Sequence, residues 1–221
     1  MARAVDAAAT VTVRYRTAPD TEVSPIPLAD LDPTGLAAVH PWREFRWYRG
    51  QRHYSGTYWS ATEGQHVIYE SRLELARLLF ADFDRSVHGI RAQPFLLTAT
   101  MREGVVRKHI PDYLLITDQG LKVVDVKPAH RLSKPEVAST FDWTRSAIEG
   151  RGWIYEVWSE PDMTELQNVR FLAGYRRRSL FDPVLLEALG RTYVDGRSIA
   201  QAIAGVADWP EPQTRAALLH L

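Results

Sequence analysis

Two apolar runs, Leu114-Leu115-Ile116 and Val123-Val124-Asp125-Val126, flank the tripeptide Asp118-Gln119-Gly120. A turn signal between two runs of strand formers reads as a β-hairpin. Strands this apolar look central in their sheet. The hairpin nevertheless carries charge: Asp112 precedes the first run, and Asp125 and Lys127 sit at the end of the second. Residues two apart in a strand leave the same face, so Asp125 and Lys127 point the same way. If Ile116 pairs with Leu121, Asp112 lies opposite Asp125. A slip of one residue would turn Asp112 to the other face.

Charges inside a sheet are costly unless they are paired or liganded. Magnesium takes oxygen donors and keeps several waters. Asp112, Asp125, the carbonyl of Val126 and a glutamate from an upstream helix would satisfy it, with manganese able to substitute. Such a metal polarises a phosphodiester and acidifies a bound water. Lys127 would hold that water or the phosphate. The spacing therefore points to a metal-dependent nuclease. The plain alternative is that Asp112 caps a loop and Asp125–Lys127 is an exposed edge, against which stand the flanking valines.

The upstream helix is expected from about Tyr69 to Phe83, with Leu75, Leu78, Leu79 and Phe83 at helical spacing. Glu70 and Glu74, four apart, would share a face of it. Phe95 to Thr100 reads as a strand, Lys134 to about Arg151 as a helix burying Phe141, Trp143 and Ile148, and Trp153 to Trp158 as another strand. Thr10 to Tyr15 alternates as a strand does, but Pro19, Pro25, Pro27 and Pro33 interrupt any long element after it, so residues 1–40 read as a loosely packed arm. Residues 41–68 interleave aromatics with Arg43, Arg46, Arg49 and Arg52. They form either a DNA-contacting segment or a hairpin packed on the core. Beyond the basic knot Arg176-Arg177-Arg178 come short helices at a spacing that resembles part of a helix-turn-helix module. A plain helical cap fits equally.

We expect three regions: an arm and aromatic lead over 1–65, a catalytic domain over 66–175, and a helical region over 176–221. Lys+Arg and Asp+Glu are both 27. That neutrality suggests either a locally basic face or a partner that does most of the DNA holding. Cysteine is absent, which excludes disulfides and thiolate chemistry and fits a cytoplasmic setting. No continuous apolar stretch is long enough to span a membrane.

Glu70-Ser71-Arg72-Leu73-Glu74-Leu75, Phe80-Ala81-Asp82-Phe83-Asp84, Gln93-Pro94-Phe95, His109-Ile110-Pro111-Asp112-Tyr113 and Asp125-Val126-Lys127-Pro128 occur in an order that resembles the TnsA-type endonuclease subunit of heteromeric transposases. The resemblance covers about residues 66 to 160. It implies an α/β fold, a restriction-endonuclease-like core of the PD-(D/E)xK superfamily with a central mixed sheet flanked by helices, and a small helical C-terminal extension. It implies Glu74 as the helix acid, with Glu70 its rival, Asp112 and Asp125 as metal ligands, and Lys127 as the catalytic lysine. Gln93 matches a recurring glutamine before the core strands, and His109 is an accessory candidate. The implied activity is magnesium-dependent cleavage of double-stranded DNA at the ends of a mobile element, beside a transposase subunit and a regulatory ATPase, on the bacterial nucleoid. A stand-alone restriction or repair endonuclease, or a non-catalytic DNA-binding scaffold, are the rival readings.

Overall fold

The computed structural model describes residues 8–43, 54–101, 104–192 and 197–221. The chain divides into two compact units after Pro161. In the first, the order is β1 (Ala8–Arg14), β2 (Arg16–Ala18), β3 (Thr21–Glu22), β4 (Ile26–Pro27), β5 (Gly56–Ser60), β6 (Gln65–Tyr69), α1 (Arg72–Phe83), β7 (Val87–Ala92), β8 (Leu96–Met101), β9 (Val106–His109), β10 (Tyr113–Thr117), β11 (Gly120–Val126), α2 (Ala129–Leu132), α3 (Pro135–Gly150) and β12 (Ile154–Trp158).

The central sheet is mixed, in the order β12-β11-β10-β7. Strands β10 and β11 form the expected hairpin, with Ile116 opposite Leu121 and Tyr113 opposite Val124. Gly120 closes it at a φ of 105°, a conformation open to glycine. Strand β12 runs parallel to β11. A parallel pair requires a crossover connection, and α2 and α3 supply it.

Alternation along these strands builds two cores. Leu114 and Val123 pack with Phe141, Trp143 and Ile148 of α3 and with Tyr155. Tyr113, Leu115, Val124 and Val126 face the other way, against Leu78 and Ala81 of α1 and Val67 of β6. Burial of residues as large as Trp143, at 1% exposure, contributes roughly 1.5–3 kcal/mol each. The sheet is thus central, with helices on both faces.

A second sheet, β4-β1-β8-β9, is antiparallel. Here the expectation of a loose arm fails. Val13 is fully buried, paired with Leu97, and Leu28, Leu31, Leu36 and Val39 join the α3-side core. Arg151 fastens this segment by donating to the carbonyls of Leu28 (3.2 Å) and Leu31 (2.9 Å). The prolines break the segment into short pieces without excluding it from the core.

Strands β7 through β10 are one long hairpin bent across both sheets. Ala92 pairs with Tyr113 below the bend, and Leu97 pairs with His109 above it. Four residues separate the paired positions on one strand and three on the other. The extra residue is a bulge, and Gln93 there has a φ of 46°. Bulges bend a strand and re-aim its neighbours. Gln93 N–H donates to the carbonyl of Asp112 at 2.8 Å, so the bend holds Asp112 directly.

The second unit holds α4 (Met163–Ala173), a 3₁₀ turn at Arg178–Leu180, α5 (Pro183–Thr192), α6 (Ile199–Ala204) and α7 (Glu211–His220). Leu185, Leu186, Leu189, Val206 and Ala217 form its core. Ser198 and Gln201 complete a capping box on α6. The helical extension expected from residue 176 therefore starts with α4. Gly190, which reads as a helix cap, lies inside α5. No strand occurs among its described residues, so no wing accompanies the helices.

Candidate active site

The sheet brings Asp112, Asp125 and Lys127 together. All three line one cavity of about 520 Å³, joined there by Glu70, His109, Lys108 and Arg43. Leu114 and Val123 face the α3 side, and strand alternation places Asp112 and Asp125 on that same face. Another cavity of about 530 Å³, between residues 37–41 and strands β6 and β7, has no acid in its lining. Its arginine, Arg91, is tied to Glu63 and to the carbonyl of Ala37.

The two aspartates are held differently. Asp112 is half-buried, and its Oδ2 accepts from the Val126 amide at 2.6 Å. In an extended strand a residue's N–H and C=O point to the same side, so the Val126 carbonyl faces the Asp112 side too. Burial, then the charges of Asp125 and Glu74, hold the Asp112 carboxyl well above its ordinary value of 3.8, against the opposing pull of the Val126 amide and Lys127. Asp125 is 1% exposed. His109 Nε2 lies 2.8 and 2.9 Å from its two oxygens, and the Tyr155 hydroxyl donates to Oδ2. Burial, then the charge of Asp125, push the Tyr155 hydroxyl up.

The two glutamates also separate. Helix α1 starts at Arg72, not near Tyr69, because Ser71 caps it: Ser71 Oγ accepts from the Glu74 amide at 3.1 Å. The expected shared helical face of Glu70 and Glu74 therefore does not exist. Glu70 lies before the helix, lines the cavity and accepts from Gln93 Nε2 at 2.5 Å. Glu74 turns back on the helix start, accepting from the Glu70 amide (2.6 Å) and the Ser71 hydroxyl (2.9 Å). Its charge still reaches Asp112 and Lys127, and burial first of all raises its carboxyl. The Ser71-x-x-Glu74 pattern was visible in the sequence and marks the helix start, although Glu74 reaches back to the amide of Glu70 and not to that of Ser71.

Gln93 is a structural corner. Besides donating to Glu70, it accepts from the Trp42 amide at its carbonyl (2.9 Å) and from the Arg43 amide at Oε1 (3.1 Å). Trp42 lines the cavity, with the guanidinium groups of Arg14 and Arg16 at 5.5 and 5.4 Å from its ring. Lys108 and Arg43 are the further basic residues that line the cavity. Arg46, Arg49 and Arg52 lie outside the described residues. Arg176, Arg177 and Arg178 belong to the second unit, at its 3₁₀ turn.

Among the described residues no three His, Asp or Glu side chains stand close enough to hold a metal ion. The cavity offers two carboxylates and a strand carbonyl on one side, beside the His109 ring nitrogen, with the first acid destabilised by its negative neighbours. That set fits a cation such as magnesium, which takes one or two protein carboxylates and completes its shell with water or substrate oxygens. It does not form a closed protein cage. No helix among the described residues is long and apolar enough to cross a membrane. Neither protein-family models nor curated proteins give a match to the chain.

Proposed function

We propose that this protein is a metal-dependent DNA endonuclease. The observation that carries the reading is the single cavity shared by Asp112, Asp125 and Lys127 on one face of a central sheet. Asp112, Asp125 and the Val126 carbonyl would hold magnesium, with Glu74, whose charge reaches Asp112, and Glu70, which lines the cavity, as the two candidate glutamates. When bound, the ion supplies Lewis-acid polarisation of the phosphate and a more acidic water. Lys127 places its ammonium beside the phosphate and offsets the charge that builds there. Water adds to phosphorus, one P–O ester bond breaks, and the strand is left with a phosphate at one new end and a hydroxyl at the other. Arg43 and Lys108 in the cavity lining take the flanking phosphates. The chain's net charge of zero suits a nuclease held on DNA by a partner, for which a transposase subunit is our candidate.

Nicking of duplex DNA with magnesium tests this. We expect Lys127→Ala to lower the rate by about a hundredfold or more, near 3 kcal/mol of barrier. Cutting that survives the substitution would sink the proposal. Cutting that needs added transposase would identify a subunit, and cutting by the protein alone a stand-alone nuclease.

A further inference from the structure

Asp125 has more side-chain partners than Asp112, and one of them lies across the sheet. Strands β11 and β12 are parallel with Asp125 opposite Val157, so Tyr155, two residues earlier, is its diagonal neighbour on the same face. The hydroxyl of Tyr155 donates to Asp125 Oδ2. The ring itself is fixed. It is 5% exposed, packs in the α3-side core, and carries the Arg145 guanidinium at 4.9 Å from its centre. His109 approaches both Asp125 oxygens from β9, so the carboxylate is gripped from two elements.

We propose that Tyr155 is a positioning residue for a divalent-cation site, acting through Asp125. The inference rests on the nuclease reading above. A carboxylate free to rotate about its Cβ–Cγ bond must be immobilised whenever a cation binds. One already held by a buried phenol and an imidazole presents a fixed oxygen to the cavity it shares with Asp112. The phenol does not touch substrate or water in this role. Its contribution is to the affinity of the site, and loss of such an outer contact typically weakens metal binding by about ten- to a hundredfold.

The test is manganese binding to the intact protein without DNA, by calorimetry, for wild type and Tyr155→Phe, beside the magnesium concentration that gives half-maximal nicking. Tyr155→Phe keeps the ring and removes only the donor. We expect about tenfold weaker manganese binding, a magnesium requirement raised to match, and a melting temperature within a few degrees of wild type. A variant with a lowered melting temperature and unchanged manganese affinity would show a purely structural tyrosine and overturn the proposal. So would a wild-type protein that binds no manganese. Wild type that binds manganese without cutting DNA would remove the nuclease reading alone, and the comparison of the two affinities would still decide the role of Tyr155. Should Tyr155→Phe not fold, Arg145→Gln, half-exposed on α3, loosens the same ring. Unchanged manganese affinity there would overturn the proposal as well.

Discussion

Two acids in this molecule, the fully buried Asp82 and the half-buried Asp112, have opposite surroundings. Asp82, at the end of α1, is fully buried and accepts from the Tyr58 hydroxyl (2.9 Å), the Ser60 hydroxyl (2.6 Å) and the amides of Ala61 (3.2 Å) and Thr62 (2.8 Å). Burial alone would raise its carboxyl, but these donors outweigh burial and hold it below its ordinary value. Asp112 accepts one amide and faces two other acids, which leaves it raised. A buried carboxylate with a full set of donors is a structural clamp. One that is short of donors and beside other acids is left with uncompensated charge, which the proposed cation would offset.

The largest expected difference is in folding. Asp82→Ala strands four donors around the β5–β6 hairpin and should cost roughly 3 kcal/mol, or near 10 °C in melting temperature. It should leave the rate per folded molecule unchanged, so a nicking defect in the folded fraction would break the distinction. Next comes the response to metal. At a hundredfold excess over its dissociation constant, magnesium should stabilise wild type by about 2.7 kcal/mol and Asp112→Asn hardly at all. Equal stabilisation of both would remove Asp112 from the site.

Melting curves across pH sharpen the contrast. The raised Asp112 carboxyl contributes stability below its ordinary value of 3.8, and this is lost as pH climbs through the raised value. The lowered Asp82 carboxyl contributes stability above 3.8, lost as pH falls through the lowered value. Metal-free Asp112→Asn should therefore lose less stability than wild type between acid and neutral pH, and Asp82→Asn should lose less on the acid side. Reversed slopes would contradict the assignment. The smallest effect separates the glutamates. Glu74→Gln should cost about 1 kcal/mol of stability through the α1 cap. Glu70→Gln should leave stability alone and slow nicking by about tenfold.

What could be read from the sequence was local. The hairpin came from turn chemistry at Asp118-Gln119-Gly120, and the shared face of Asp125 and Lys127 from strand periodicity, whereas the register that sets Asp112 beside them came only with the structure. The buried face of α3 came from the spacing of Phe141, Trp143 and Ile148. What escaped depends on distant partners. Val13 finds Leu97 across more than eighty residues, so nothing near β1 announces that it is paired. The one-residue bulge at Gln93 has no local glycine to mark it. The Tyr155–Asp125 contact exists only after α2 and α3 have brought β12 beside β11. Glu70 and Glu74 differ because of a capping serine whose weight spacing alone understates.

The parallel pairing of β11 with β12 sets an order on folding. The aspartates and the lysine lie within a stretch of hairpins whose contacts close over short loops, whereas Tyr155 must wait for a crossover of nearly thirty residues. A chain still emerging during synthesis would display both acids, the amine and the His109 grip before it could fasten the Tyr155 grip on Asp125. The tyrosine contact is thereby among the last features of the cavity to form.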